Sequence, residues 1–594
     1  MNSRYPIIAL SGLIFATLNA SEHQPINPIA PSGAMLRNDP FGQSVRPAPN
    51  APNQDEKWLI AGLVNGPKSS AGLDGNAVVV IRGFKFVCRC KGPKDGQEIG
   101  GDIRLALLAS SADCLGSTPS PGAPVRVKLS QLEVLAQNLA IAYKELTGIA
   151  MPILIIGEQD ITDGILTFDV IEGVLEEVEF LGAGETADAK SANAKSTMLS
   201  LVDGQQGKVM RQESVERAIL LLQEITGDSY SIQYGTGREA YGVRMRVLPR
   251  VDRQEPGSLN GALRVDNQGS PALGKTQFST QLSWRPEWIF GDQLGLNYVT
   301  SELSSALAAY TLSYDSALGV HGWRGGVRLS KVNYEVGGSL SAAQAHGLSE
   351  TVGLYASYPI VRSFSQRLDA TFGLARSSLE DITVGSSNPR TNHSLTAELR
   401  DVTTQNSYSQ SWSVSASFSD LKYDTYSQEA MDIMGLRGRS LTLNAEYRRV
   451  DWLTRAVDLT YGVRAQWAGS NLDGFQKMWV GGINGVRAFA PSEVSGDNAL
   501  VGRIELGYTI RSAAYANRIS AFYDQGEAEV SRSPLSPVGN RVTLAGAGVQ
   551  WQFSSDFGLG SKVFFATPTK NSSRTVSSVD AKSNRVGFEL NYAF

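Results

Sequence analysis

The chain has 594 residues, too many for one ordinary hydrophobic core, so we expect several separately folded units. Charged residues make up 19% of the chain and the formal net charge is −4, so neither a basic nucleic-acid-binding surface nor an acidic tail is indicated. The hydrophobic share of 42% fits a soluble protein as well as a transmembrane barrel with a polar lumen. Patterning along the chain must therefore decide the class.

The first segment, residues 1–20, is typical of a secretory signal peptide. Arg4 precedes an apolar run from Pro6 to Leu18, and small and polar residues follow. The alternative, a short membrane anchor, is disfavoured because a spanning helix needs ~20 apolar residues. We expect the chain to be exported. Residues 21–75 hold eight prolines without a sustained apolar period, which indicates a linker or tail.

Residues 76–172 are predicted to form a mixed α/β module with a helix over Ser130–Leu146, because apolar residues recur on one helical face and Gly148 follows it. A second module over 173–252 has its helix at Ser214–Ile225. Each module is predicted to pack one helix against a small sheet. The predicted strands are Val78–Ile81, Phe84–Val87, Ile153–Ile156, Ile165–Ile171, Val174–Phe180, Ser229–Tyr234 and Val243–Leu248.

The three cysteines, Cys88, Cys90 and Cys114, all fall in the first module. Two positions apart on a strand, Cys88 and Cys90 share one face, and Cys114 could reach one of them in an oxidising compartment. A disulfide is therefore expected, but the sequence does not decide which two cysteines form it. A metal site is disfavoured because a thiolate cluster usually needs a fourth ligand and the four histidines are scattered.

From residue 256 to Phe594 the helical period disappears, and strand after strand alternates apolar with polar or small residues. A soluble sandwich could share this period, but the second face is polar over nearly the whole region, which favours a membrane barrel with a polar lumen. The last strand places Tyr592 and the terminal Phe594 on its apolar face, an outer-membrane signature. At ~10 residues per spanning strand, the region accommodates roughly 14 to 18 strands.

Motifs at Tyr143–Gly182, Leu263–Gly269, Ser357–Arg362 and Trp479–Phe489 occur in this order along the chain. They resemble motifs of the two-partner secretion translocators, the haemolysin secretion/activation family within the wider superfamily of outer-membrane assembly barrels. Tyr143–Gly182 is similar to the junction between that family's first and second POTRA domains. Leu263–Gly269 resembles its first barrel strand, and Ser357–Arg362 resembles a mid-barrel element. Trp479–Phe489 is similar to the lumenal loop of the superfamily.

The resemblance implies a transmembrane antiparallel β-barrel of about 16 strands, preceded by two small α/β POTRA domains at 76–172 and 173–252. It implies an outer-membrane location in a Gram-negative bacterium, with the POTRA domains in the periplasm. The expected client is one large exoprotein of the adhesin or haemolysin type, recognised unfolded by the POTRA domains. Outer-membrane lipid or lipopolysaccharide and the barrel assembly machinery are the other expected partners, and neither nucleic acid nor a cofactor is expected.

The resemblance also implies a site in the lumenal loop, placed at 479–500. Arg487 is expected to pair with Asp524 and so lock the loop inside the barrel. The remaining site residues belong to the two motifs around this pair: Val486, Ala488 and Phe489 in the loop, and Phe522 and Gly526 in a barrel strand. Ala488 replaces the family's usual glycine, so a left-handed backbone there would be costly.

Three other functions remain open. A passive porin explains the barrel but not the two α/β modules, and an assembly factor for outer-membrane proteins would share both parts. A membrane-embedded lipid hydrolase would need a catalytic constellation, but no G-x-S-x-G elbow occurs in the sequence. We expect the chain to be a translocator and not an enzyme.

Overall fold

The computed structural model describes residues 78–594 except 91–93, 121, 158, 181–188, 203–205, 240, 250–258, 287, 290, 303–306, 338–343, 384–385, 431, 492 and 572–583. The predicted signal peptide 1–20 and linker 21–75 lie outside the described residues. The chain divides into two units, Asn50–Gln254 and a second that contains Glu255–Phe594. No helix in the described part of the chain is long and apolar enough to cross a bilayer.

The first α/β module packs two helices against a three-stranded sheet, in which β2 lies parallel and β4 antiparallel to the central β5. Phe86 and Phe168 stack at 5.6 Å in its core and are fully buried, as are Leu107 and Leu139 from the two helices. The elements are β1 (Val78–Ile81), β2 (Gly83–Arg89), α1 (Gly101–Leu115), β3 (Val125–Lys128), α2 (Leu129–Thr147), β4 (Pro152–Ile155) and β5 (Ile165–Glu172).

The second module repeats this plan with strand order β6-β8-β7. Its amphipathic helix buries Ile219 and Leu222 against Met245 and Val247 of the sheet. The elements are β6 (Val174–Phe180), α3 (Ala189–Val202), α4 (Gln212–Thr226), β7 (Tyr230–Thr236) and β8 (Gly242–Pro249). The prediction of one helix per module was wrong, since α1 and α3 each supply a second.

Short backbone hydrogen bonds join the two modules within their unit. The N–H of Ala150 donates to Met210 at 2.7 Å, and that of Gln212 donates to Gly148 at 2.9 Å. Because Gly148 ends α2 and Gln212 starts α4, these bonds fix the end of one helix against the start of the other.

The second unit is a closed barrel of sixteen antiparallel strands, which confirms the predicted fold class. Its last strand, β26, pairs with its first, β9, from Glu589 opposite Asp266 to Ala593 opposite Ala262. The first nine strands are β9 (Asn260–Asp266), β10 (Gln277–Trp284), β11 (Gln293–Ser301), β12 (Leu307–Ala317), β13 (Arg324–Glu335), β14 (His346–Arg362), β15 (Gln366–Thr383), β16 (Ser386–Thr404) and β17 (Tyr408–Tyr423). After a short helix α5 (Tyr426–Ala430) come β18 (Gly438–Trp452), β19 (Val457–Ala468), β22 (Asn498–Arg511), β23 (Tyr515–Glu529), β24 (Arg541–Ser555), β25 (Leu559–Asn571) and β26 (Arg585–Ala593).

The strand faces follow the predicted alternation. On β17, Val414 and Phe418 point outward and are 50% and 45% exposed. On β26 and at Phe594, which follows it, all five apolar residues of one face are exposed, starting at Val586. An apolar exterior on every second residue is what a barrel presents to lipid.

Connections at the two ends of the barrel differ in length. At one end, here called the short-turn end, the turns include 363–365, 405–407, 453–456 and 512–514. At the other, the long-loop end, the loops include 267–276, 424–437, 469–497 and 530–540. The longest, 469–497, contains the two-residue strands β20 (Met478–Trp479) and β21 (Ser495–Gly496) and is called the lumenal loop. Its predicted bounds of 479–500 were therefore wrong at both ends, because β22 already begins at Asn498.

Candidate functional site

The lumenal loop folds back on itself inside the barrel. Two backbone hydrogen bonds hold its shape: Val480 N–H donates to Val494 at 3.0 Å, and Val486 N–H donates to Val480 at 2.7 Å. Gly482 makes the turn with a φ of 87°, a left-handed conformation that favours glycine. The segment 480–489, called the loop tip, is thereby presented to the barrel wall as a compact turn.

The structure brings Arg487 and Asp524 together, as the resemblance implied. Arg487 Nε donates to Asp524 Oδ2 at 2.8 Å and Nη2 donates to Oδ1 at 2.8 Å, so the pair is bidentate. The backbone N–H of Arg487 also donates to Oδ2 at 3.1 Å. One carboxylate on β23 thus fixes both the side chain and the main chain of the loop tip.

A second carboxylate, Glu505 of β22, shares the guanidinium and was missed by sequence reasoning. Arg487 Nη1 donates to Glu505 Oε2 at 2.7 Å, while the other oxygen of Glu505 accepts from Arg518. Arg518 is in turn held by Asp458 of β19 at 2.7 Å. Lumen-facing polar residues recur on every barrel strand, so nothing local in the sequence distinguishes these from ordinary wall residues.

An aromatic ring completes the arginine's surroundings. The guanidinium carbon of Arg487 lies 3.4 Å from the centroid of Phe522, within the range of a cation–π contact. Phe522 also meets Phe564 of β25 edge-on, with centroids 6.5 Å apart. The predicted motif residue Phe522 is therefore one wall of the arginine site.

The site lies in an apolar cluster and not on a wet polar wall. Val486 and Phe489 of the loop tip pack with Val501, Leu544 and other inward residues of β22–β25, and the side chains of Arg487 and Asp524 are only 4% and 1% exposed. The polar face expected over nearly the whole barrel region is interrupted here, because inward apolar residues of β22–β25 lie beside the buried charges. Because solvent screening is weak there, the Coulombic attraction between the two charges is stronger than in an open lumen, and removing one partner leaves the other buried and unpaired.

Two glycines of the wall allow the loop to approach so closely. A Cβ at Gly526 of β23 would lie 2.3 Å from Val480 Cγ1, and one at Gly546 of β24 would lie 2.4 Å from Ala488 Cβ. The methyl group of Ala488 therefore occupies space that Gly546 leaves free. Ala488 does not adopt the left-handed backbone that would be costly for a residue with a Cβ. Among the described residues, only Tyr241 and Gln344 have a positive φ without being glycine.

Three further arginines of the wall bind backbone carbonyls of the loop tip. Arg464 of β19 donates to Asn484 at 2.7 Å, and Arg503 of β22 donates to Ile483. Arg585, on the closing strand β26, donates to the carbonyls of Arg487 and Phe489 at 3.1 and 2.6 Å. Because the acceptors are backbone carbonyls, which every residue has, the loop sequence gives no indication of these contacts.

The terminal aromatic residues take part in barrel closure. Phe594 and Gly261 of β9 exchange backbone hydrogen bonds of 3.0 Å in both directions. The rings of Tyr592 and Phe594 stack at 6.2 Å on the outer face, and both are more than 40% exposed. The signature thus lies at the seam between the first and last strands.

The cysteines lie far from this site in sequence. The structure joins Cys88 and Cys90 as a disulfide with Cα atoms 5.5 Å apart. Cys114 lies near the end of α1. Among the described residues, the sulfur atoms of Cys88 and Cys90 and a carboxylate oxygen of Glu172 form the single group with metal-ligand spacing. With both sulfurs in a disulfide, no thiolate is available to a metal.

The chain matches known proteins along most of its length. Residues 250–553 match the family described as haemolysin secretion/activation protein ShlB/FhaC/HecB. The heme/hemopexin transporter protein HuxB of Haemophilus influenzae is 22% identical over 462 residues, which cover 75% of this chain and 78% of HuxB. The outer membrane transporter CdiB of Escherichia coli is 24% identical over 414 residues, 61% of each chain.

Solved structures show the same fold. The structure of CdiB from Escherichia coli superposes with a TM-score of 0.59 at 17% identity, covering 93% of this chain and all of that one. BamA from Haemophilus ducreyi lacking POTRA domains 1–3 gives a TM-score of 0.51 at 12% identity, covering 86% of this chain and all of that one.

The family match covers more than half of the chain and includes the lumenal loop and most of the barrel wall that binds it. Together with the sixteen-stranded barrel and its apolar exterior, it places the protein in the outer membrane of a Gram-negative bacterium. The chain belongs to the ShlB/FhaC/HecB family of haemolysin secretion/activation proteins, the two-partner secretion translocators.

Proposed function

We propose that this protein exports one large partner exoprotein of the adhesin or haemolysin type, threading it unfolded through the barrel. The observation that carries the proposal is the lumenal loop. It occupies the lumen but is held by ion pairs and hydrogen bonds, which can exchange for contacts with a passing chain. A passive porin has no need of such an attachment.

The proposal includes no catalytic step and no cofactor. The charged side chains of the site are already matched with one another: Arg487 with Asp524 and Glu505, and Arg518 with Glu505 and Asp458. They serve to hold the loop. Folding of the client outside the cell supplies the driving force.

Client recognition is proposed for the second α/β module, at the edge strand β7. Within the described residues, β7 pairs with a strand on one side only, β8. The opposite edge, β6, is covered at its start, because Leu175 N–H donates to Lys208 at 3.1 Å and Gly207 N–H donates to Leu175 at 2.8 Å. An unfolded client can add a strand to an edge such as β7 by backbone hydrogen bonds.

The face of this sheet is less suited to an apolar client. Arg244 lies 3.2 Å from Glu179, and Arg246 donates to the same carboxylate at 2.7 Å. The hydrogen bond from Arg246 lowers the pKa of Glu179. The charges of the face are thus matched with each other, which leaves the backbone edge as the available binding feature.

The outer face of the last strand supports two further proposed partners. Val586, Leu590 and Phe594 are exposed and apolar, as expected for contact with outer-membrane lipid or lipopolysaccharide. The same terminal face, with Tyr592, is the proposed recognition element for the barrel assembly machinery.

Export is tested by producing the chain together with a large exoprotein sought among the reading frames next to its gene, in a host that lacks both. We expect the exoprotein in the medium only when this chain is present. If the medium stays free of exoprotein while outer-membrane proteins in general are depleted on deletion of the gene in its own host, the protein is an assembly factor instead.

Recognition is tested with a photo-crosslinking residue in the full chain. At Gln233, an exposed position on β7, we expect crosslinks to an unfolded N-terminal fragment of the exoprotein. Glu213, exposed in the first turn of α4, is the matched control and should give none. Equal crosslinking at both positions contradicts recognition at the edge strand.

A further inference from the structure

A second attachment holds the lumenal loop at a different place, near its start. Arg390 of β16 donates from Nε to Asp473 Oδ2 at 2.6 Å and from Nη2 to Asp473 Oδ1 at 3.1 Å. The two side chains are only 2% and 5% exposed. This is the same bidentate geometry as that of Arg487 and Asp524, but it shares no residue with that pair.

Neighbouring strands fix the arginine before the loop reaches it. Asp381 of β15 lies 2.8 Å from Arg390 Nη2, and the carbonyl of Asn388 accepts from Nη1 at 3.1 Å. The hydroxyl of Tyr334, on β13, donates to the other oxygen of Asp381. The guanidinium is therefore oriented by β13, β15 and β16, and Asp473 is the partner that the loop supplies.

The loop segment 471–477, called the loop root, is also bound to two other loops of the long-loop end. Asn471 Nδ2 donates to the carbonyl of Met434 at 2.6 Å and to that of Ser533 at 3.0 Å. Lys477 pairs with Asp497 at 3.0 Å and donates to the carbonyl of Val530. The root thus connects the loops 424–437 and 530–540.

The two attachments hold the loop at different parts of the barrel wall. The loop tip is bound by β19, β22–β24 and β26, which follow the start of the loop around the barrel. Arg390 lies in the opposite direction, on β16, three strands before β19. Arg390 is five residues into β16, which starts at the long-loop end. Since the loop leaves the wall at Ala468 of β19 and meets Arg390 on β16, its root spans the lumen side of β17 and β18 at that end. Asn471 binds it there to the loops 424–437 and 530–540.

We infer that Arg390 and Asp473 form a second gate, which keeps the long-loop end of the lumen closed at rest and opens independently of the Arg487 lock. Arg390 is a positioning residue that holds Asp473, and the loop root is free to move when this ion pair breaks. The inference of resting closure depends only on the contacts of the loop root with Arg390 and with the two neighbouring loops. The further claim that the gate must open for a client to leave rests on the proposed export function.

The test is the resting conductance of the purified full chain in planar lipid bilayers, which requires no client. In the native protein the N–H of Phe475 donates to Asp473 Oδ1 at 3.3 Å. Asp473→Asn removes the negative charge but keeps a side-chain oxygen that can accept this hydrogen bond. We expect the ratio of open to closed time to rise about tenfold, equivalent to about 1.4 kcal/mol. Asp473→Glu keeps the charge and should restore most of the native closure.

Asp369→Asn is the matched control. It breaks the pair of Asp369 with Arg362 in the same barrel wall, close to the turn 363–365 at the short-turn end. We expect native conductance from this variant. Heat-modifiable mobility on gels verifies that each variant retains a folded barrel.

Two results overturn the second gate: native conductance in a folded Asp473→Asn variant, or an equal rise in Asp369→Asn. Neither touches the export proposal, which depends on the appearance of exoprotein in the medium. A double variant, Asp473→Asn with Asp524→Asn, tests independence. Its effect on the open-to-closed ratio should be the product of the two single effects, and a markedly smaller effect contradicts separate gates.

Discussion

Two arcs of the same barrel wall use the same strand alternation for different purposes. On the loop-covered arc, β22–β25, inward residues such as Val501 and Leu544 are apolar and fully buried under the loop tip. On the hydroxyl-lined arc, β14–β17, inward residues pair as hydroxyls, Thr351 with Ser377 at 2.8 Å and Thr396 with Ser417 at 3.1 Å.

The difference shows that a barrel lumen is not one environment. Where the loop packs, the wall has become one side of a small protein core, and its buried charges depend on their partners. Where hydroxyl groups line the wall, water can replace a lost partner at low cost. Substitutions of matched type on the two arcs should therefore differ strongly in effect.

The largest effect is expected from reversing the charge at Asp524. Asp524→Arg would leave the new guanidinium beside Arg487 and Arg503, both of which Asp524 now neutralises. Removing one partner of a buried pair costs about 3–5 kcal/mol, and a reversal costs more. We expect loss of export and a raised resting conductance, measured by exoprotein in the medium and in planar bilayers.

Glu398→Arg is the control on the hydroxyl-lined arc. Glu398 also faces the lumen and accepts from Arg400 at 2.9 Å, but its side chain is more exposed than that of Asp524. Export should fall little. Normal transport by the Asp524→Arg variant would show that the loop lock is dispensable.

A smaller effect is expected from adding bulk under the loop. Gly526→Val places a Cβ 2.3 Å from Val480 Cγ1, and such overpacking typically costs about 1–3 kcal/mol. Gly373→Val is the matched control on β15, where the nearest atom to a new Cβ is 3.9 Å away. We expect a lower unfolding temperature on heat-modifiability gels for the first variant alone. Equal lowering in both would mean that loop contact does not set the difference.

The sequence was sufficient for the barrel and the central pair because both depend on local pattern or on motifs. Period-two alternation predicted the strand faces, and the resemblance of two motifs to those of a known family implied that Arg487 and Asp524 would meet. The helix α4 was also predicted, since its apolar residues fall on one face. The missed helix α1 lacks that signal: Leu105 is 65% exposed while Leu107, two residues on, is fully buried.

The rest of the site could not be predicted because it depends on which strands the loop crosses. Glu505 and Arg390 read as ordinary lumenal residues until the register brings them to the loop. The inward apolar residues of β22–β25 also hid the site, since they contradict a simple polar-lumen rule. Only the closed barrel, with the loop inside it, explains both.

The smallest effect is expected from Thr396→Ala on the hydroxyl-lined arc. Its hydroxyl pairs with Ser417, but both side chains are only partly buried, so lumenal water can take the vacated position. The free energy of unfolding should change by less than about 1 kcal/mol, and export and resting conductance should remain native. A loss of export as large as that from Gly526→Val would mean that this arc has a specific contact with the client. The two arcs would then differ in partner, one holding the loop and the other the passing chain, and not in their tolerance of change.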